Sequence, residues 1–485
     1  MLQVLEKLYI KLLNPFLKVS RRIPVNVKGA GLSICFAGLM AQYVVVGMIN
    51  RNTLYYSWYM SFDLMMLLGC ILFMLGEELK PLVWRKGLTY SFLGMGAYMV
   101  LSESLQPKYM PYLGLCLILI IPLFAFVWGN HKQKHWVIQC MSNGIRGAFL
   151  LSTLLAFFFR VKMDGYRYAG LFINPNMLGL FLVPVAIVYL MEIDKMLKTT
   201  GSKIRKTILL LEVGLCFFMI LMTQARTTLL AILLTGGIWF LIRMVQFRRE
   251  KKLGRFLGSI GLLFLVIVIS YPAYEKLLQV LPEKTGIQWV YPKDKYYAKI
   301  NEPLFGSAVL AAEDNAQTDE SELGVMDDGD SKEETTGFDR LIGSLRFDSL
   351  SSLLNGRWEI YQEYVKGLSW SGHRKMSMKV DNSTVPHAHN NMLQQGYMYG
   401  IGAMILFGII TILSIGAAIN NCLRLDHNNS YHLFIVLYFI IHLLIGITEM
   451  TILPFIVVTG MIFYLLVALV MVKDNDSSQK ELFSE

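Results

Sequence analysis

Apolar residues run in blocks of about 17–22 along most of the chain, and blocks of that length cross a hydrocarbon core of about 30 Å. Short polar turns separate them, until one polar stretch, roughly Tyr274 to Pro386, interrupts the pattern. The pattern predicts about twelve membrane spans, near 30–49, 58–76, 88–102, 109–128, 140–159, 175–191, 207–223, 227–243, 256–272, 396–416, 431–447 and 451–472. Ile208 to Ile242 is almost continuously apolar; as one helix it would extend about 52 Å, too long for one crossing. Its strong interruption is Thr223-Gln224-Ala225-Arg226-Thr227, which predicts a hairpin with Arg226 at the turn. The fold class read here is an all-α polytopic membrane protein of about twelve transmembrane helices with one large loop carrying amphipathic helices. The domain reading is a basic N-terminal segment (1–29), spans one to nine (30–272), the loop (273–395), spans ten to twelve (396–472) and a tail (473–485).

The loop itself divides. Glu313 to Glu334 is acidic and almost free of large apolar residues, which predicts a disordered insert. From Phe338 to Leu368 apolar residues recur at helical spacing, among them Leu345, Leu353, Trp358, Tyr361 and Tyr364, which predicts amphipathic helices over the membrane face.

Composition agrees: 54% of the 485 residues are hydrophobic and 16% charged, with mean hydropathy +0.47, against about 25% charged in ordinary soluble domains. The net charge of +10 raises the question of nucleic acid. The basic residues sit instead in the short loops between spans, a pattern that orients a membrane protein, and no nucleic-acid partner is expected. With the N-terminus inside, the inner segments hold about 25 Lys/Arg and the short outer ones about six. Both termini are therefore expected in the cytoplasm and the long loop outside. The first 29 residues are basic and amphipathic (Lys7, Lys11, Lys18, Arg21, Arg22, Lys28) and do not read as a cleavable signal. Cys35, Cys70, Cys116, Cys140, Cys216 and Cys422 fall mostly in or beside apolar runs, with no CxxC, so neither a disulfide nor a zinc site is expected.

Candidate chemistry gathers on the outer side. An arginine within a span costs about 2.5–3.5 kcal/mol on insertion scales; at an outer turn Arg226 costs less but still needs a partner, either a phosphate or the interface. Arg357 lies in the amphipathic part of the loop, where a surface arginine ordinarily meets solvent. His387, His389 and Asn390 follow Pro386 and lead into the tenth span; a histidine there serves as general base, proton shuttle, donor to an anion, or polar cap. No acidic residue or cysteine stands at local spacing to complete a metal site with the two histidines, so no metal and no cofactor are expected. Asn174-Pro175-Asn176 reads as a helix start, with Asn174 as cap and a helix N-terminus that favours an anion. Arg160, Lys162 and Arg167 share that loop and add positive potential. Asp63, Glu103, Glu212, His442 and Glu449 are membrane-embedded ionisable candidates, with Glu449 on the same side as His389 and Arg226.

Taken together, these pieces resemble the O-antigen polymerase and O-antigen ligase superfamily over roughly residues 165–450. Asn174-Pro175-Asn176 matches its span start, and Thr223-Gln224-Ala225-Arg226 its outward arginine. Gly356-Arg357-Trp358 loosely matches its loop arginine segment, and Gly367-Leu368-Ser369-Trp370-Ser371-Gly372 its glycine turn. His389-Asn390-Asn391-Met392-Leu393-Gln394 with Gly396, Gly400 and Gly402 matches its histidine motif. The chain departs from the pattern in the altered turn, in Trp358 directly after Arg357, and in the acidic insert. The resemblance implies a glycan transferase of the bacterial cytoplasmic membrane, with its active site facing outside. Its donor would be an oligosaccharide on a polyprenyl pyrophosphate and its acceptor a glycan hydroxyl. The lipid bilayer would be a partner, and a chain-length regulator and a flippase candidate partners. Arg226 and Arg357 would meet the pyrophosphate, and His389 would act as base or as pyrophosphate ligand. Asn390, His387, Asn174, Asn176, Arg167 and Glu449 would complete the substrate site. A polymerase is favoured, with a ligase acting on a lipid, wall or protein acceptor as alternative. A flippase or transporter would place its polar groups near the midplane and show paired repeats; the polar cluster of this chain is expected at the outer face, and the sequence shows no repeat. A non-catalytic scaffold is the remaining reading.

Overall fold

A computed structural model describes residues 1–48, 56–76, 78–106, 112–159, 163–164, 167–198, 202–285, 357–380, 383–424, 430–455 and 457–473. The acidic insert at 313–334, loop residues 338–356, Arg160, Lys162 and the tail beyond 473 lie outside the described residues.

Among the described residues the chain forms fifteen helices and two short antiparallel strand pairs. The first part contains α1 (Leu2–Ser20), α2 (Val25–Met48), α3 (Tyr56–Met74), α4 (Lys86–Leu105), α5 (Leu113–Asn130) and α6 (Lys134–Phe159). Strands β1 (Met163–Asp164) and β2 (Arg167–Tyr168) pair before α7 (Pro175–Lys198), α8 (Lys203–Thr223), α9 (Arg226–Arg249) and α10 (Leu253–Thr285). The loop contributes α11 (Arg357–Lys366), the hairpin β3 (Met378–Val380) and β4 (Ser383–Val385), and α12 (Asn391–Tyr399). The chain then returns through α13 (Ile401–Arg424), α14 (Ser430–Gly446) and α15 (Val458–Met471).

A helix stands at each of the twelve predicted runs. Seven helices of the described chain, α5 to α10 and α13, are long and apolar enough to cross a membrane, while parts of α3, α14 and α15 are shorter apolar helices. The architecture is that of an all-α membrane protein. Its centre is α15, buried along its whole length and packed on α5, α7, α13 and α14. At the edge, α10 exposes Leu262, Phe264, Leu265, Val268 and Ile269, as a lipid-facing helix does. In α1, Leu2, Glu6, Tyr9, Leu13 and Leu17 recur at helical spacing and are buried; the Glu6 carboxylate accepts from Leu82 N at 2.8 Å and Trp84 Nε1 at 2.7 Å.

Several boundaries differ from the apolar pattern, each for a local reason. The predicted 208–242 hairpin forms, with Gln224 in the left-handed region (φ 47) closing α8 and Arg226 opening α9. The tenth run divides at Gly400 (φ 100) into α12 and α13. A side chain there would run into the Trp370 carbonyl oxygen, and one at Gly372 (φ 71) into the Met398 carbonyl. The turn holding Trp370 and Gly372 is fastened to this break by Ile401 N to Ser369 O (3.0 Å), and to α4 by Tyr98 Oη to Trp370 O (2.6 Å) and Ser102 Oγ to Ser371 O (2.6 Å). The last run becomes helical only at Val458, because Pro454 has no N–H and disfavours helix before it. The irregular stretch before α15 is buried from Glu449 to Phe455. Non-helical backbone within a membrane bundle is tolerated only when protein or a watery cavity surrounds it. Finally, α10 continues to Thr285, past the predicted end of its span, with Tyr271 and Tyr274 packed against Phe218 of α8.

Side-chain contacts between helix ends gather at two faces. At one face Lys198 bonds Asp194 beside Ser430 and Arg243; at the other Thr227, Thr448, Arg167 and Thr223 meet. Over α9, 24 residues long, the two faces stand about 36 Å apart.

Candidate functional site

Three segments converge at the second face. The first is α11. Its Tyr364 ring lies 4.7 Å from Tyr397 of α12 and its hydroxyl donates to Met376 O at 2.9 Å, which docks the helix on the chain that follows it. Docking on that face puts Arg357 and, one turn on, Tyr361 toward the protein. The second segment leaves β4 through Pro386. Ala388 is fully buried beside Tyr364 and Tyr397, and its N–H donates to Gln394 Oε1 at 2.7 Å. His389 then takes a left-handed conformation, φ 50. Such a conformation costs a non-glycine residue about 1–3 kcal/mol and clusters where geometry serves function. The third segment is the turn after α14, bearing Thr448 and Glu449.

Glu449 joins them. Its Oε1 accepts from Arg357 Nη2 at 2.8 Å, and its Oε2 lies 3.6 Å from His389 Nδ1, within ion-pair reach and beyond a hydrogen bond. The side chains are largely enclosed, 10% exposed for Glu449, 11% for Arg357 and 22% for His389. Burial would raise the Glu449 pKa, but His389 and the Arg357 guanidinium outweigh it and hold the carboxyl below its ordinary range. His389 Nδ1 is itself buried, so the ring's exposure comes from its remaining edge, which includes Nε2. Arg357 Nη1 also donates to the Thr448 carbonyl. Tyr361 Oη is within hydrogen-bond distance of the carbonyls of Ile447 (2.8 Å) and His389 (3.1 Å), and burial pushes its hydroxyl up to about 12, so it stays a donor.

Arg226 arrives from the other side. Thr448 Oγ1 donates to Thr227 Oγ1 at 3.1 Å, which ties the first turn of α9 to the Glu449 turn. The Arg226 side chain is exposed and has no hydrogen-bond or ion-pair partner among the described residues.

The remaining expected site residues are placed as follows. Asn174 caps α7, accepting from Met177 N at 2.9 Å. Arg167 reaches Thr223 O at 3.1 Å and Asn176 Oδ1 at 2.5 Å, so it braces the start of α7 against the turn before Arg226. The guanidinium expected to add positive potential at the substrate site is thus bonded to two neutral oxygens. Asn390, expected to bind substrate, accepts from Leu393 N at 3.0 Å as the cap of α12 and donates to Ile447 O at 3.0 Å. His387 Nδ1 accepts from His389 N at 3.3 Å, which supports the unusual backbone there. Arg357, expected to meet an anion directly, is paired with Glu449. Of the embedded candidates, Glu212 pairs with Arg146 at 2.6 Å, and Glu103 accepts from Tyr112 N and Gly114 N at the start of α5. His442 lies beneath the site at 3.1 Å from Thr451 Oγ1, which also meets Asn391. Asp63 is fully buried and neither carboxyl oxygen has a hydrogen bond among the described residues.

Sequence reasoning missed Tyr361 and Thr448 as parts of this site. Tyr361 had a usable signal: it stands one helical turn from Arg357 and so shares its face. Among the described residues no three His, Cys, Asp or Glu side chains come together as a metal site requires.

The geometry can do two things. A carboxylate against one imidazole nitrogen orients the ring and leaves the opposite nitrogen for proton transfer. An unpaired arginine on the adjoining turn offers a preorganised cation. Fold and site together define a polytopic helical membrane protein with a polar constellation at one helix-end face. No protein-family model matches the chain, and a search among curated proteins returned no significant match.

Proposed function

We propose that this protein is a metal-independent membrane glycosyltransferase of the O-antigen polymerase and ligase kind. In this reading it joins polyprenyl-pyrophosphate-linked oligosaccharide repeats into a capsule, exopolysaccharide or O-antigen type polymer. In this reading the chain has about twelve spans and cytoplasmic termini, and the His389 face is extracytoplasmic. The orientation rests on the positive-inside distribution, and the substrate class on the ordered motifs from Asn174 to Gly402.

The observation that carries the reading is Glu449, held between Arg357 and His389 and tied through Thr448 to the turn of the unpaired Arg226. This favours His389 as the base over His389 as a pyrophosphate ligand, since a carboxylate facing Nδ1 orients the ring and leaves the opposite nitrogen for the acceptor proton. In the reaction an acceptor hydroxyl gives its proton to His389 Nε2 and its oxygen bonds the anomeric carbon of the donor. The bond from that carbon to the pyrophosphate oxygen breaks, and the electron pair leaves with the lipid pyrophosphate. Charge grows on that oxygen, and Arg226 stabilises it most strongly in the transition state. Arg357 holds Glu449 in place, a positioning role in addition to its charge.

Deletion of the gene followed by gel analysis of surface glycans tests the reading. Single repeats in place of polymer are expected. Full-length lipid-linked polymer would point to the ligase reaction instead, and unchanged glycan would overturn both.

A further inference from the structure

The other face of the bundle carries a polar feature that the glycan reading leaves unused. The ends of α6, α7, α9, α10 and α14 border an open cavity of about 700 Å³ whose walls include His135, Lys195, Lys198, Glu250, Lys252 and Arg255. That volume lies within the range of ligand cavities, about 300–1,000 Å³. It suits a phosphate with substituents better than a bare ion.

The wall is built from inside. Asp194, 1% exposed, accepts from Arg243 Nη2 at 2.6 Å, Lys198 Nζ at 2.9 Å and Ser430 Oγ at 2.5 Å. Lys195 is held by Glu192 at 2.9 Å and by Gln139 at 2.5 Å. These bonds fix two ammonium groups at the cavity rather than letting them swing into solvent. At the surface, Lys252 leans on Glu250 at 3.4 Å. Arg255 is exposed, and its side chain has no hydrogen-bond or ion-pair partner among the described residues. The lining holds three lysines and one arginine against one carboxylate. The excess survives when the buried groups Arg243, Glu192 and Asp194 are included. A concave, low-dielectric wall of one sign concentrates anions. Lys252 and Arg255 sit at the start of α10, the helix whose apolar flank is largely exposed, so the cavity adjoins the lipid boundary.

We infer that this cavity is a second ligand site, taking a phosphate-bearing anion. Lys195 and Lys198 form its wall and Lys252 and Arg255 its mouth. Two sources share that chemistry: the headgroup of an anionic phospholipid, which basic pockets between spans recognise, and a soluble phosphate compound. The site does not depend on the glycan reading; only its assignment to the cytoplasmic side rests on the orientation proposed above.

The test uses the full chain, purified in a neutral detergent at fixed ionic strength. It is titrated separately with short-chain phosphatidylglycerol, short-chain phosphatidylcholine and inorganic phosphate. The variants are Lys252→Glu with Arg255→Glu, the milder Lys252→Gln with Arg255→Gln should the first fail to fold, and Lys11→Glu on α1 as a control for charge away from the cavity. Phosphatidylglycerol is expected to bind and phosphatidylcholine not to. The double charge reversal should weaken binding by about tenfold or more, and Lys11→Glu should leave it unchanged. Inorganic phosphate binding with the same sensitivity to the variants, without phosphatidylglycerol, would assign the site to a soluble ligand. If neither anion binds, or the cavity variants bind as the parent does, or Lys11→Glu weakens binding equally, the site is refuted.

Discussion

At the scale of single residues, the site depends on a carboxylate doing two jobs. Glu449 holds Arg357 and faces His389, so Glu449→Gln keeps the shape and removes both attractions. Activity should fall about 10²-fold, the low end of what an acid–base group contributes, and Glu449→Asp should recover part of it. Equal turnover in Glu449→Gln and the parent, measured as repeat units joined per minute, would remove the base-orienting role. The same carboxylate predicts a pH effect. Its folded pKa is depressed below the unfolded value of about 4.3, so its stabilisation is fully present above that pH and is lost as pH falls through the folded value. Thermal melting between about pH 3 and 6 should show an acid loss in the parent that is smaller in Glu449→Gln. Residue identity made His389 and Arg226 legible in advance, because a histidine pair beside Pro386 and an arginine inside an apolar run are chemically conspicuous. The Arg357–Glu449 pair was not legible: the residues stand 92 positions apart, and only the docking of α11 brings them together.

At the scale of elements, hydrophobic blocks located every long helix except the amphipathic α1, and misplaced ends where a single residue broke the backbone. Apolar residues flank both Gly400 and Pro454, so hydropathy runs on through each while the helix does not. The hairpin before α9 was legible because its break is polar. The break at Gly400 also fastens α12 to the glycine turn and to α4, which holds the His389 segment from behind. Gly400→Ala therefore combines an unfavourable φ with a clash against backbone that cannot swing aside. It should destabilise by about 1–3 kcal/mol, read as a lower melting temperature of the detergent-purified protein. Gly416, whose added Cβ would meet no heavy atom within 4 Å, is the control and should tolerate alanine far better.

At the scale of the whole molecule, the two helix-end faces differ in chemistry, and in the proposed orientation they lie on opposite sides of the membrane. Trp370→Cys, at the His389 face, should react with a membrane-impermeant thiol reagent in intact cells. Lys252→Cys, at the basic face, should react only after the membrane is opened, with the parent chain as the blank for native thiols. Reactivity of Lys252→Cys in intact cells would invert the topology and leave the site facing the cytoplasm. The central claim is that the His389 and Arg226 constellation joins lipid-linked glycans. Its most direct test is chain extension by the purified protein in liposomes supplied with polyprenyl-pyrophosphate-linked repeats. The parent should build a ladder of lengthening products. His389→Ala and Arg226→Ala, folded and inserted alike, should each lose at least about 10²-fold of that rate. Ladders of parental length and rate from both variants would contradict the account.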